Sequence, residues 1–192
     1  MNKILFLSLA LFVAETVSAE EGLQPYLFFG NIGQTIEDTN ESISTALSVS
    51  GFEVLGQYSP EKSLERSVIV VSHPELLAAL SDMRPSVGFF SAIRIGLISF
   101  NGNTLISLQN PEYWGNEYLQ DEYSKAEAVI NNLSSKISKT IQAEFTTASL
   151  GSGYGSSQEF TQEDLREYHY MFGMPYLELI IDRKRLLCQL CS

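Results

Sequence analysis

An unbroken apolar run, Ile4–Val13, opens the chain, and beyond it the hydrophobic positions settle into alternating and three-four patterns. Tyr26–Ile32 is short, aromatic and apolar, as a strand is. A helix capped by Asp38 or Thr39 follows; Ile43, Leu47 and Val49 form its apolar stripe and Gly51 stops it. Phe52–Tyr58 alternates as a second strand, and Ser59–Lys62 makes a turn. Val68–Val71 is a continuous β-branched run, which predicts a central strand buried on both faces. Pro74 opens a short helix, Glu75–Leu80, from the first helical position that proline favours. After a loop at Arg84–Gly88, Ile93–Phe100 and Thr104–Leu108 flank Asn101-Gly102-Asn103, a hairpin signature. Asn110–Trp114 reads as a polar, aromatic turn. Between Glu122 and Phe145, Ala126, Val129, Ile130, Leu133, Ile137 and Ile141 recur at three and four, giving a long amphipathic helix. A glycine- and serine-rich linker at 151–157 separates this from a last helix, Leu165–Phe172. The expected core comprises Phe28, Leu47, Phe52, Val54, Val68, Ile69, Val70, Leu77, Ile93, Ile95, Leu97, Leu105, Leu108, Ile130, Leu133 and Ile137.

The opening run is too short to span a bilayer core of about 30 Å as a helix. Lys3 precedes it, Glu15, Thr16 and Ser18 end it, and Val17-Ser18-Ala19 presents small residues for a cut before Glu20. This is the layout of a secretory signal peptide, residues 1–19, directing a bacterial chain to the periplasm. No later apolar run reaches spanning length, so no membrane anchor is expected after cleavage.

The net charge is −11, from 23 Asp and Glu against 12 Lys and Arg. A chain this acidic, with scattered bases, does not suit nucleic-acid phosphates, which need clustered Lys and Arg. Residues 20–192 suffice to bury a core without disulfides. The two cysteines, Cys188 and Cys191, form a C-x-x-C pair in a tail that contains Arg183-Lys184-Arg185. That is not the helix N-terminus where a redox motif gains its reactivity, and two thiols cannot close a tetrahedral metal site.

Candidate chemistry is sparse. His73 ends a strand just before a helix, a position where α/β folds often carry function, and which a structural histidine fills equally well. His169 lies among Tyr168, Tyr170, Met171 and Phe172, as part of a packed helix face or of one that meets a ligand. Arg94 stands inside an apolar strand and, alternating with Ile93 and Ile95, points away from them. It is either an ordinary solvent-facing residue or an arginine that holds an anion in its planar fork. Trp114, with Tyr113 and Tyr118, lines a pocket at the end of the sheet or fills the core. Ser91 and Ser99 lack His–Asp partners for a hydrolase triad. No metal set is identified, no cofactor follows from these residues, and no catalytic residue can be named.

Several short motifs occur together in an order that carries further. Gly51-Phe52-Glu53-Val54-Leu55 leads to Ser72-His73-Pro74, then a leucine-containing helix, a proline-containing loop, the hairpin, and Gln109-Asn110-Pro111-Glu112-Tyr113. This stretch, from about Gly51 to Tyr118, resembles the bacterial and archaeal family called domain of unknown function 302. The resemblance implies an α+β fold, a two-layer domain with a mostly antiparallel sheet and helices packed on it, able to form a homodimer. It implies no activity, cofactor or site residue. His73 departs from the asparagine more usual before that proline. Glu167–Tyr176 resembles a segment of longer exported members, which suggests a C-terminus truncated or frame-shifted from Leu177.

The expected organisation is a signal peptide at 1–19, one domain at 20–150, a linker at 151–157, and a helix with a poorly ordered tail at 158–192. The expected function is non-catalytic binding of a small ligand or a protein partner. The alternative is a metal- or redox-linked enzyme or accessory protein using His73. Intact-mass measurement on the exported protein should find a chain beginning at Glu20, within a residue or two. A mature protein that still carries Met1 would refute the signal assignment.

Overall fold

The computed structural model describes residues 22–148, 153–156 and 160–167. The expected signal peptide at 1–19, His169, the two cysteines and the stretch from Leu177 lie outside the described residues. Six strands make one sheet: β1 (Tyr26–Ile32), β2 (Glu53–Tyr58), β3 (Arg66–Ser72), β4 (Ile93–Phe100), β5 (Asn103–Gln109) and β6 (Gly153–Tyr154). Their order is β2-β3-β4-β5-β1-β6, and every pairing is antiparallel. The helices are α1 (Ile36–Val49), α2 (Pro74–Leu80), α3 (Pro111–Leu119), α4 (Tyr123–Glu144) and α5 (Gln162–Glu167). The fold is α+β, an antiparallel sheet with helices packed on it.

α1, α2 and α3 each begin where a side chain accepts from a first-turn N–H, whereas α4 has no side-chain cap. The Thr35 hydroxyl accepts from the Asp38 amide at 3.2 Å and donates to the Asp38 carboxylate at 2.8 Å. α1 therefore starts before the expected cap, and its buried stripe is Ile36, Thr39, Ile43 and Leu47; Val49 is exposed. Two strands exit into helices through a capping residue and a proline. His73 Nδ1 accepts from the Glu75 amide at 3.3 Å before α2, and Asn110 Oδ1 accepts from the Glu112 amide at 3.1 Å before α3. Proline at the first helical position lacks only a hydrogen bond it could not have made. Asn110–Trp114 is thus the start of a helix and not the expected turn. Along α4 the buried residues Ala126, Ile130, Leu133, Ile137 and Ile141 keep the three-four spacing read from the sequence.

Strand alternation decides what faces these helices. β4 buries Ile93, Ile95 and Leu97 and turns out Arg94, Ile98 and Phe100. β3 buries Ile69 and Val71, and β5 buries Ile106 and Leu108. α1 packs across β2 to β5, and α4 packs against α1, α2 and α3. The opposite face carries no described helix. Val68, Val70, Leu105 and Phe28, expected in the core, lie on that open face and are half-buried. Phe29, next to Phe28, is the ring that is fully buried. Leu77 is exposed as well. A β-branched run signals a strand but does not say whether both faces are covered. The hairpin turn is as expected, with Asn101 at φ 52° and Gly102 at φ 79°, the left-handed pair that a two-residue connection demands.

The stretch expected as a linker is corrected in part. Gly153 and Tyr154 pair with Leu27 and Tyr26, and the Tyr154 hydroxyl donates to Ser107 Oγ at 2.6 Å. Phe160 bridges to Leu23, and α5 buries Leu165 and packs against α3. Ile69 and Ile95 are both fully buried and paired across β3 and β4. Ile69→Ala or Ile95→Ala should each cost about 2–5 kcal/mol in urea denaturation. A loss below about half a kilocalorie per mole would contradict their place in a close-packed core.

Candidate functional site

The open face is organised by register. One row across the sheet runs Tyr58–Val68–Gly96–Ser107–Phe28, from β2 to β1. Beside it, Val70 pairs with Arg94, and Gln109 pairs with Tyr26, which pairs with Tyr154. On the other side Arg66, Ile98, Leu105 and Asn31 form a third row. The middle row dips at Gly96, where no side chain stands. At the end of the sheet near Arg94, the first turns of α3 raise Trp114 and Tyr118 above the strands. Together these surfaces enclose a cavity of about 390 Å³, whose lining includes Tyr26, Tyr58, Arg94, Gln109, Trp114 and Tyr118. Its volume is at the small end of the range for ligand pockets, about 300–1,000 Å³.

Arg94 is the charged group of this cavity. Its position on β4 turns it outward, and Gln109 holds it: Oε1 accepts from the Arg94 amide at 3.2 Å and from Nη1 at 3.4 Å. Nη1 also donates to the Ala92 carbonyl at 3.3 Å. Among the described residues the ion pairs are Arg66–Glu61 and Lys125–Glu122, and no carboxylate is paired with Arg94. The guanidinium is anchored by neutral oxygens. Trp114 spends its indole N–H on the Pro25 carbonyl at 2.9 Å. Its ring packs against Tyr118 at 6.0 Å and Tyr26 at 6.4 Å between centroids. Burial pushes the Tyr118 hydroxyl above its usual value, with Arg94 opposing and Glu117 and Tyr26 reinforcing the shift. Tyr118 is therefore a neutral O–H donor beside the cation at physiological pH.

Arg94 and Trp114 are thus brought together, as two of the four candidate residues. His73 is placed elsewhere. It is buried beneath the α2–α4 junction, its ring 4.9 Å from that of Phe52 and its Nε2 3.3 Å from Lys136 Nζ. Desolvation first, then Lys136, lowers its pKa, with Glu75 opposing. It is a neutral ring capping a helix. His169 lies outside the described residues. Among those described, no group of three His, Cys, Asp or Glu side chains is placed to hold a metal ion, and no helix is long and apolar enough to cross a membrane. A larger groove, about 810 Å³, runs between α1 and α4, but it mixes Lys136 and Lys139 with Asp38, Glu41 and Glu144 and has no aromatic wall.

Sequence reading overlooked Tyr26, Tyr58, Gln109 and Gly96 as site residues. Tyr58 and Gly96 come into one row only through register, which no local pattern encodes. Gln109 and Tyr26 could have been found from their places at strand ends next to an outward arginine.

The site therefore belongs to an α+β domain in which the described helices cover one face of the antiparallel sheet. The structure is similar to the crystal structure of an uncharacterized conserved DUF302 protein from Bacillus stearothermophilus, of the family the sequence resembles. The identity is 20%, the TM-score is 0.47, and the match covers 66% of this chain and 100% of that one. No protein-family model matches the chain, and no curated protein matches it. That neighbour is itself described as uncharacterized, so it brings no activity to this site.

One further acid stands in the helix that walls the cavity. Glu117 of α3 is 5% exposed, and burial pushes its carboxyl from 4.5 up to about 7. A raised folded-state value means that the native chain holds this proton more tightly than the unfolded chain does. The linked stability is present at low pH and is lost as pH rises from 4.5 through 7. Glu117→Gln should match the native chain near the low end of that window. Above it the variant should be more stable by roughly 1–3 kcal/mol, read from urea denaturation across pH. Equal stability of the two chains at high pH would contradict the buried placement of this carboxyl.

Proposed function

We propose that this chain is an exported periplasmic binding domain that holds a small organic anion on the open face of its sheet. The observation that carries this reading is Arg94, a cation held by Gln109 and without a carboxylate partner among the described residues, at the edge of an aromatic-walled cavity. A planar guanidinium fork recognises a carboxylate or phosphate through paired N–H groups. The Tyr118 hydroxyl adds a second kind of donor, and the Tyr26, Tyr58 and Trp114 rings supply apolar contact for the rest of the ligand.

Binding fits better than catalysis. Among the described residues the cavity lining contains no His, Cys, Lys, Asp or Glu, so these offer no general base of ordinary reactivity. Its one aliphatic hydroxyl, Ser107, already accepts the Tyr154 O–H. The enzymatic alternative through His73 is disfavoured because that ring is buried and its Nδ1 is committed to the Glu75 amide as a helix cap. Export rests on the features of residues 1–19. A protein partner or a second copy of the chain is the remaining occupant for so apolar a sheet face.

Trp114 is the sole tryptophan and lines the cavity, so its emission reports occupancy. Titration with benzoate, acetate and inorganic phosphate should give a saturable change with at least one of them. Arg94→Gln should weaken that binding by roughly tenfold or more, the loss of about 1.4 kcal/mol or more expected for a charge-assisted pair. Arg94→Lys should not restore it, because an ammonium lacks the planar fork. Unchanged titration in Arg94→Gln would refute the reading.

A further inference from the structure

Gly96 stands in the middle of β4, between two strands that pair with it on either side. Glycine in a strand interior weakens the strand, because it gives up a packed side chain and orders a freer backbone. Nothing in the fold demands that sacrifice here. The Gly96 backbone does not lie in the left-handed region, and a Cβ built on it meets nothing closer than Ser107 O at 3.9 Å, an ordinary contact. Gly30 has a conformational reason, φ 93° in the β1 bulge, and Gly153 a steric one, since a Cβ there would meet Gln24. What marks Gly96 is its place: its open face is the floor of the Arg94 cavity.

Resting on the anion-binding reading of Arg94, we infer that the ligand is a flat aromatic carboxylate. Its ring lies on the bare peptide backbone at Gly96 while its carboxylate meets Arg94. Position 96 is two residues from Arg94 on the same face of β4, about 7 Å along the strand. That spacing suits a carboxylate attached directly to a ring. The cross-strand neighbours Val68 and Ser107 border the slot, with Tyr58 and Phe28 beyond them in the same row. A flat body fits between such walls and makes contact on its whole face with the peptide plane, whereas a puckered ring of equal atom count is held off the floor. The aromatic edges of Tyr26, Trp114 and Tyr118 at the Arg94 end match a π-system better than an aliphatic one. Gly96 is in this view the residue that sets specificity.

The test uses the full exported chain and calorimetric titration with two probes, benzoate and cyclohexanecarboxylate. They share the carboxylate and the six-membered ring and differ in thickness. Benzoate should bind more tightly, and Gly96→Val should weaken it by roughly tenfold or more. The melting temperature of that variant should be equal to or above that of the native chain, since a β-branched residue favours a strand. Gly96→Ala, the smaller change, should fold in any case and show an intermediate loss. Equal binding of the two probes, or undiminished benzoate binding in both Gly96 variants, would overturn the inference. If Arg94→Gln still abolishes binding in that event, the anion site stands and only the flat-ring specificity falls. Absence of any binding of either probe overturns both.

Discussion

Among the described residues the helices all pack on one face of the sheet, and the rest of the structure depends on that constraint. Side chains alternate across β3, β4 and β5, and the fully buried Ile69, Ile95 and Ile106 all meet the helices from the same side. α1 lies directly on the strands, and α4 locks α1, α2 and α3 into one layer through a stripe of buried aliphatics. The two proline-initiated helices share this logic. His73-Pro74 and Asn110-Pro111 each take a chain leaving the sheet and turn it into a helix of that same layer. With every long helix committed to one face, the other face is left to solvent or to whatever binds it.

That division explains how the site is built. Arg94 would be an intolerable charge if β4 were covered on both sides, since a buried unpaired cation is strongly unfavourable. On the open face it remains exposed to water and steadied by Gln109. α3 is the bridge between the two layers. A Cβ at its Gly115 would stand 3.0 Å from Ile130 and 3.1 Å from Tyr123, a tight fit that shows how closely the helix lies against α4. Its Trp114 and Tyr118 then overhang the end of the sheet and close the cavity.

Much of this was legible in the sequence, and the misses share a cause. The hairpin, the long α4 and the α1 stripe follow from patterns within a dozen residues, which is the reach of periodicity. Val68 and Val70 were misread because a β-branched run is equally good on a covered or an uncovered face, and coverage is a property of the assembled layers. Phe28 and Phe29 are indistinguishable in composition, and only the pairing of β1 with β5, across a bulge at Gly30, decides which ring is inside. Asn110–Trp114 looked like a turn because Asn-Pro punctuates loops as readily as it caps helices. Of the site, Arg94 and the Trp114–Tyr118 pair could be named in advance, since an outward charge in an apolar strand is conspicuous by itself. Tyr58 and Gly96 could not, because they join the site through register across the sheet.

The strand order has a kinetic consequence. β2, β3, β4 and β5 form a meander in which each strand pairs with its neighbour in sequence, whereas β1 pairs with β5 and β6 and with no strand near it in the chain. The meander can assemble by closing short loops, and such local contacts form quickly. Docking β1 requires closing a far longer loop, and its ladder has no template until Asn103–Gln109 is in place. β1, the earliest of the six strands in the chain, is therefore among the last to be ordered, and until β5 arrives the ring of Phe29 lacks the strand it pairs beside.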